Sequence, residues 1–463
     1  MTPITRLTNT TYDELTLGLS ASIEKRLTMD DIRLFAVMTG DVNPVSLDAK
    51  FASSSRFHDI VAHGMWGGAL ISAVLGTELP GAGTVYHQQM LNFIAPVRIG
   101  DVLKVTVTVR EKRADAQVVF ECDVVNQAGE QVLSGEAIVI APTEKIESEV
   151  VELPDVLLNE RRHLTHLFAR CQAYRPLKVA VVHPCDEVSL TGALEARAQG
   201  LIEPILIGPE AKIRAVADAL DLSLQGVEIQ SVAHSHAACE RAVTLCQTDA
   251  VESVMKGSLH TDELMGALLT KQAGLRTDRR VSHVFVFDVP TYPRPLLITD
   301  AAINITPDLT AKRDIIQNAI ELAHALQIEM PKVAILSAVE TVTPAIPSTL
   351  DAAALCTMAL RGQITGGILD GPLAFDNAVS EAAAKIKGIQ SEVAGQADIL
   401  VTPDLESGNM LAKQLEYLGH GEGSGIVLGL RLPIILTSRA DDATSRLASC
   451  ALAVLLSAHQ RGL

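Results

Sequence analysis

Aromatic side chains are scarce in this chain: Phe, Tyr and Trp together make up 3% of 463 residues. Surfaces that stack unpaired bases need more of them. Cationic charge is also in short supply, and a net charge of −17 repels a polyanion. Nucleic acid is therefore set aside as a partner, whereas a small anion needs only a local cluster of donors. No two of the seven cysteines (Cys122, Cys171, Cys185, Cys239, Cys246, Cys356 and Cys450) stand in a CxxC pair. Zinc and dithiol chemistry are unexpected on that count, and no metal site is predicted. The start, "MTPITRLTNTTYDELTLG", has no apolar signal core, and no apolar run reaches bilayer length. A soluble cytoplasmic protein with reduced thiols and no membrane partner is the expectation. The glycine-rich "GHGEGSG", Gly419 to Gly425, matches neither a phosphate loop nor a dinucleotide fingerprint and reads as a flexible loop. There is no internal repeat and no low-complexity tract.

What is present is length and aliphatic bulk. The chain is long enough for about three compact domains. Hydrophobic residues are 48% of it, so its cores are built from Ala, Val, Leu and Ile, a profile that suits α/β enzymes. Two textures meet near residue 150. From Ile99 to Ile140, "DVLKVTVTVREKR" and "AQVVFECDVVNQAGEQVLSGEAIVIAP" alternate apolar and polar residues around a turn at Gln127 to Glu130. That pattern predicts a meander with one wet face. "GMWGGALISAVLG", Gly64 to Gly76, has helical length and small residues that permit close packing, which predicts a helix wrapped by the sheet. "PTEKIESEVVELPDV", Pro142 to Val156, is charged, Pro-bounded and aperiodic, and reads as a linker. Beyond it, "LKVAVVHP", "IEPILIGP", "ILVTP" and "RLPIILTS" are short apolar runs that end in Pro, Gly or Ser. They alternate with helical patterns such as "ACERAVTLCQTD" and "AKRDIIQNAIELAHAL". This alternation predicts a mainly parallel sheet with ligands at the carboxyl ends of its strands.

The stretch "GDVNPVSLDAKF", Gly40 to Phe51, has two readings. Asn-Pro starts turns and His-Gly can precede a helix, so it can be plain structure; or it is half of an active site. The run from "FAVMTGDVNP" through "FHDIVAHGMWGGALISAVLGTELPGAGTVYHQQMLNFIAPVRIGDVLKV" resembles the MaoC-like, hotdog-fold (R)-specific enoyl-CoA hydratases over residues 15–142. Asp-x-Asn-Pro-x-x-x-Asp followed by His-Gly-Met carries the likeness. The resemblance implies an Asp and a His that hold a water for addition to an enoyl thioester. It also implies a glycine N–H, in His-Gly-Met, that polarises the thioester carbonyl. Asp41 falls on the family's Asp and Gly64 on its glycine. The catalytic His of the family falls on Ser46. A hydroxyl takes no proton at neutral pH without its own base, and losing a catalytic base costs about 10²–10⁴-fold. Three readings stay open: a weakened hydratase that relies on Asp41, one that recruits His63, His87 or His58, or a unit that only binds acyl-CoA or assembles an oligomer. His63 is equally readable as a packing or capping residue.

A second set of motifs follows residue 250: "SVMKGSLHTDELMGALL", "ITDAAINITPDL", "SAVETVTPAIPSTLDAAAL", "GILDGPLAFDNAVS", "ADILVTPDLESGNMLAKQL" and "PIILTSRADDATSRLAS". Each puts small or polar residues just after a predicted strand. The candidates for substrate binding are Lys256, Gly257, Ser258, His260, Thr261, Asp300, Asn304, Ser337, Asp376 and Asn409, with Ser438 and Arg439 as catalytic candidates. Gly257, Ser258 and Thr261 offer N–H and hydroxyl donors to an anion at a helix N-terminus. Arg439 offers a paired, charge-assisted grip on phosphate. Singly, each motif is a common strand-to-helix turn.

Together, in order, they resemble the phosphate acetyl/butyryltransferase family over residues 175–460, nearer its butyryl branch in "KGSLHTDELMGALL" and "LTSRAD". The resemblance implies two α/β lobes of isocitrate/isopropylmalate dehydrogenase-like fold with the active cleft between them. The layout is then an α+β hotdog domain at 1–145, a linker at 146–159 and a transferase domain at 160–463. In that domain, lobe one is 160–272 plus 425–463 and lobe two is 273–424. It implies acyl exchange between CoA and phosphate, with coenzyme A as substrate and no tightly bound cofactor. Arg439 and the Ser258 loop would neutralise phosphate and the tetrahedral oxyanion, and positioning would supply much of the rate. No covalent intermediate is needed, so Cys356 and Cys450 read as small buried residues. Two positions depart from the acetyl branch. Its Asp seven residues after the Ser of Ser-Arg is Ser445 here, with Asp441 and Asp442 nearby. Its Arg after His-Thr is about Gly266, which implies room for acyl groups longer than acetyl.

Both halves share one ligand, an acyl-CoA. The leading expectation is a phosphate acyltransferase, working on acyl-CoA and inorganic phosphate or acyl phosphate, with an appended hydratase-like domain. The alternatives are a fully bifunctional hydratase/transferase and a non-catalytic acyl-CoA-binding scaffold. Hotdog pairing and transacylase dimerisation imply a homo-oligomer.

Overall fold

A computed structural model describes residues 6–149, 153–154, 156, 158, 162–436 and 442–462. The chain forms two compact units, 1–158 and 159–463.

The first unit is a five-stranded antiparallel sheet around one helix. Its strands lie in the order Ser20–Arg26, Val102–Lys112, Gln117–Val125, Gln131–Ile140, Val85–Phe93. The alternation in Val102–Lys112 buries Leu103, Val105, Val107 and Val109 on one face. That face packs against Trp66, Ile71, Val74 and Leu75 of the helix Gly64–Thr77. Full burial of each such aliphatic side chain contributes roughly 1.5–3 kcal/mol. The expected turn is present: the Gly129 N–H donates to the Asn126 carbonyl (2.9 Å), and the Asn126 side chain accepts from the N–H groups of Ala128 and Glu130. The segment read as linker differs in part. Glu147–Glu149 is a strand, antiparallel to Arg6–Thr8. Three residues of alternating charge and hydroxyl carry no apolar signal, so sequence texture missed a pairing made by the backbone alone.

The second unit is built on one eleven-stranded sheet. The order is Glu228–Ser231, Ile202–Gly208, Leu177–Val182, Ser253–Lys256, Ile434–Ile435, Glu422–Leu428, Ser282–Asp288, Leu296–Thr299, Ile399–Val401, Lys332–Leu336, Ile368–Leu373. Both flanks are parallel, as expected. The three central pairings, around Glu422–Leu428 and Ser282–Asp288, are antiparallel. The two parallel flanks therefore run in opposite directions.

The "GHGEGSG" stretch is corrected here: its second half opens the central strand Glu422–Leu428. Glycine is required at Gly425 because a Cβ there would lie 2.6 Å from His283 Nε2. One face of the sheet carries a single continuous core that runs from Val179 and Met255 through Ile435, Ile426 and Val284 to Leu297 and Val333. The other face carries two separate cores. One surrounds Val182, Val254 and Ile434; the other surrounds Phe287, Ile298 and Ala334. Half-buried Leu436 packs against the first of these cores and half-buried Phe285 against the second.

Candidate active site

In the first unit a cavity of about 300 Å³ opens beside the N-terminus of the helix Gly64–Thr77, lined by His63, Gly64, Trp66, Phe93, Val97 and Leu133 among others. Two of the four expected residues reach it. His63 is buried, stacks on Phe35 with ring centroids 5.3 Å apart, and donates from Nε2 to the Asp41 carbonyl (2.9 Å). A carbonyl only accepts, so the proton sits on Nε2. His63 precedes the helix but makes no side-chain cap bond, so it is a packing residue rather than a capping one. Its buried Nδ1 has no hydrogen-bond partner.

Asp41 is exposed, and its carboxylate accepts from the Asn43 N–H (3.2 Å), so it stabilises its own turn. Ser46 is 1% exposed, lies in the short helix Pro44–Leu47 and does not line the cavity. The alternatives His58 and His87 are exposed and do not line it either. The cavity thus has a largely apolar wall with one imidazole and the Arg56 side chain, and no carboxylate.

In the second unit the candidates fall into groups. The loop after Ser253–Lys256 is tied to the neighbouring strand: the Gly257 N–H donates to Val182 O (2.9 Å) and the Ser258 N–H to His183 O (2.8 Å). These two N–H groups are consumed by the backbone, which corrects the expectation that they face an anion. A Cβ on Gly257 would lie 2.3 Å from Val182 O, so glycine is obligatory for this contact. The Lys256 ammonium is buried, 3.4 Å from the carbonyls of Gly257 and Leu259. His260 is exposed and precedes the helix Thr261–Leu268 without a side-chain cap bond; Thr261 begins that helix.

The other large group follows Leu296–Thr299. Asp300 is buried and accepts from the N–H groups of Ala302, Ile303 and Asn304 and from Asn304 Nδ2 (2.5 Å). Burial pushes its carboxyl pKa up, against the pull of those donors. Asn304 continues the chain of bonds, donating to Val281 O and accepting from Arg280 Nε (2.8 Å). Asn409 is exposed and donates to Ala301 O (3.2 Å). The remaining two stand apart from this group. Ser337 is buried and bonded to the Ser348 hydroxyl (2.8 Å). Asp376 has an exposed side chain 3.7 Å from Lys387. Its neighbour Asn377 is the buried polar residue of that turn, with an unpartnered Oδ1.

Lys256 and Asp300 leave the sheet in opposite directions from one row. Met255 pairs with Ile435, Ile435 with Ile426, Ile426 with Val284, and Thr299 follows the partner of Phe285. Strict alternation puts the side chains of Lys256 and His283 on the face that carries two cores. Sequence reasoning missed His183. It ends the strand Leu177–Val182 in the left-handed region (φ 55°) and bonds through Nδ1 to Ser258 O (3.0 Å). The only signal was its place before Pro in "VVHP".

Ser438, Arg439 and Asp441 lie outside the described residues. Asp442 caps the helix Ala443–Gln460, accepting from the Ser445 N–H (2.7 Å). Gly266 faces open space. Burial raises the pKa of every cysteine, to about 12 for Cys356 and Cys450. No thiolate nucleophile is on offer. Among the described residues there is no cluster of three metal-ligating side chains, and no helix is long and apolar enough to cross a membrane.

Comparison with known proteins agrees with this division. Residues 236–454 match the family model described as Phosphate acetyl/butaryl transferase, and residues 16–128 match that of a MaoC like domain. A phosphate acetyltransferase of Rhizobium meliloti is 61% identical over 295 residues, covering 64% of this chain and 93% of that protein. A phosphate butyryltransferase of Clostridium acetobutylicum is 42% identical over 283 residues, 61% of this chain and 94% of that one. These identities run against the expected closeness to the butyryl branch. Among solved structures, the branched-chain phosphotransacylase of Enterococcus faecalis V583 is 28% identical. It covers 61% of this chain and 99% of its own, with a TM-score of 0.54.

Proposed function

The chain belongs to the phosphate acetyl/butyryltransferase family, and from that premise we propose that its second unit exchanges a short acyl group, acetyl first, between CoA and inorganic phosphate. The carrying observation is the break between two cores on one face of the sheet, with half-buried Leu436 packed against one core and half-buried Phe285 against the other. That break supports a cleft of the two-lobed isocitrate/isopropylmalate dehydrogenase kind. In this reading the boundary between lobes follows the antiparallel centre of the sheet.

Ser438 and Arg439 follow Leu436 in the chain, and Arg439 is assigned the phosphate. Lys256, buried beneath the Gly257–Thr261 loop, places positive charge on the same face. Asp300 and Asn304 act as a brace. Their bonds shape the turn after Leu296–Thr299 and reach Arg280, whose exposed guanidinium suits a CoA phosphate. The reaction moves an acyl carbonyl between two nucleophiles with no covalent enzyme intermediate. Positioning and oxyanion neutralisation are therefore the work assigned to the protein.

For the MaoC-like unit we propose acyl-thioester binding with slow hydration at best. The cavity holds an imidazole and no carboxylate, and Ser46 does not face it. Its edge strand Val85–Phe93 exposes Met90 (57%) and Phe93 (55%), an apolar unpaired edge that supports pairing with a second copy.

The test is acetyl phosphate formation from acetyl-CoA and phosphate, in the wild type and in Arg439→Ala. Removing one preorganised charge is expected to cost about 10²–10³-fold in turnover. An Arg439→Ala protein that turns over like wild type removes the assigned phosphate site. Crotonyl-CoA hydration at rates comparable to transfer removes the reading of the first unit.

A further inference from the structure

The thiol of CoA must lose a proton before it attacks an acyl phosphate, and among the described residues next to the Ser-Arg motif in the chain there is no uncommitted base. Ser445 is a hydroxyl whose N–H is spent on Asp442, and the Asp442 carboxylate is spent on capping that helix. Every cysteine is held protonated by burial.

We propose that His183 is the general base of the transfer, accepting the CoA thiol proton at Nε2; this rests on the transferase reading above. Three features of the fold carry it. First, the strands Leu177–Val182 and Ser253–Lys256 are parallel neighbours, with Lys256 opposite Val182. His183 therefore emerges beside Gly257 at the edge where the Ser258 loop begins. Ile434–Ile435, the strand that leads to Ser438 and Arg439, is the next parallel neighbour. Second, the Nδ1–H of His183 donates to Ser258 O (3.0 Å). The acceptor is a carbonyl, so the neutral ring keeps its lone pair on Nε2. Among the described residues nothing hydrogen-bonds Nε2, and it is not one of the buried unpartnered nitrogens. Third, the ring is held rather than free. The backbone of His183 is left-handed, and the close contact at Gly257 fixes the loop to it. Exposed His260 has neither restraint.

Charged neighbours face His183 from the adjoining elements. Glu263, on the helix Thr261–Leu268, is held below the ordinary carboxylate range, first by a hydrogen bond from Ser235 and further by His236 and His183. Cys185 and Asp186 follow on the same turn, and Lys212 lies near Cys185 on the helix Glu210–Ala219.

The step balances. The S–H proton passes to Nε2, and the thiolate attacks the acyl phosphate carbonyl. The C–S bond forms and the C–O bond to phosphate breaks. The imidazolium then returns the proton to the departing phosphate.

The test uses His183→Asn and His183→Gly in the full chain, because both residues accept the left-handed backbone. Acetyl-CoA formation from acetyl phosphate and CoA should fall about 10²–10⁴-fold in kcat, with KM for acetyl phosphate nearly unchanged. Added imidazole should restore the Gly variant at least about tenfold, with a rescued rate that falls at low pH as the added imidazole is protonated. Turnover within about threefold of wild type in either variant overturns the proposal, as does a loss that imidazole leaves unmoved with the pH profile unchanged. On the unmodified protein, the ¹⁵N resonance of His183 Nε2 must respond to CoA; a resonance that stays still overturns it even if neither variant folds. A wild type that makes no acetyl-CoA would instead sink the transferase reading.

Discussion

Gly257→Ala tests how the loop before Thr261 is held. A Cβ at this position would sit 2.3 Å from Val182 O, 2.7 Å from His183 O and 2.8 Å from His183 C. All three are backbone atoms, so no side chain can swing away. Relief requires the loop to move by about 1 Å, since ordinary contact begins near ~3.4 Å. That movement strains two hydrogen bonds, Gly257 N–H to Val182 O and Ser258 N–H to His183 O. Overpacking costs about 1–3 kcal/mol and each weakened bond about 0.5–1.5 kcal/mol, giving a total of roughly 2–6 kcal/mol for the two bonds together with the overpacking. At ~2 °C per kcal/mol for a unit of this size, the melting temperature should fall by about 4–12 °C. A misplacement of ~1 Å at a reacting centre costs about 10²-fold in rate. The assays are thermal unfolding and acetyl phosphate formation, side by side. Gly76→Ala is the control: it meets nothing within 4 Å at the end of the helix Gly64–Thr77. It should raise stability by up to about 1 kcal/mol without touching transfer. A Gly257→Ala protein with wild-type melting and turnover would show that the loop is not locked as described.

Three further outcomes follow from named contacts. His283 is 1% exposed, and burial pushes its pKa down to about 3. The unfolded chain takes up a proton below its ordinary 6.5 that the fold refuses, so stability present above pH 6.5 is lost as pH falls toward 3, by up to about 5 kcal/mol. His283→Gln should flatten that acid slope in urea titrations at several pH values, and an unchanged slope would discount the buried imidazole. Glu252 receives a bidentate pair from Arg175 (2.7 and 2.8 Å) and a third bond from Arg461 (2.6 Å). Burial opposes its ionisation, but these partners hold it below 4.5, so its contribution is lost as pH falls below that value. The cluster is part-exposed, so Glu252→Gln should cost only on the order of 1 kcal/mol, less in high salt. Met90→Lys puts a charge on the exposed edge strand Val85–Phe93 and should lower the oligomer size in sedimentation. Assembly identical to wild type would move the interface elsewhere.

Much of this architecture was legible in residue patterns. The alternation in "DVLKVTVTVREKR" marked a half-buried antiparallel strand because the period of two is a direct projection of the pleat. The apolar runs ending at His183, Gly208 and Thr402 marked buried parallel strands. The antiparallel centre was not legible. A strand buried on both faces reads as one apolar run whichever way it points, and Ser282–Asp288 reverses direction with no local signal. Glu422–Leu428 was hidden for another reason: Gly423 and Gly425 look like loop residues until the rings of Phe287 and His283 are seen filling the space beside them. At the candidate site, motif order pointed to loops but not to atoms. Gly257 and Ser258 suggested free N–H donors, whereas their N–H groups are bound to the strand Leu177–Val182 and the residue after it. His183 and Asn377 escaped notice because their roles depend on neighbours distant in sequence. His183 meets Ser258, 75 positions on, and Asn377 meets Glu340, 37 positions back.

The most direct measurement is stoichiometric: acetyl-CoA and inorganic phosphate are mixed with the purified chain, and released thiol and acetyl phosphate are counted together. The account predicts one acetyl phosphate for each CoA thiol freed, with neither product formed when phosphate is omitted. Thiol release without acetyl phosphate, or no reaction with either acetyl-CoA or butyryl-CoA, would contradict it.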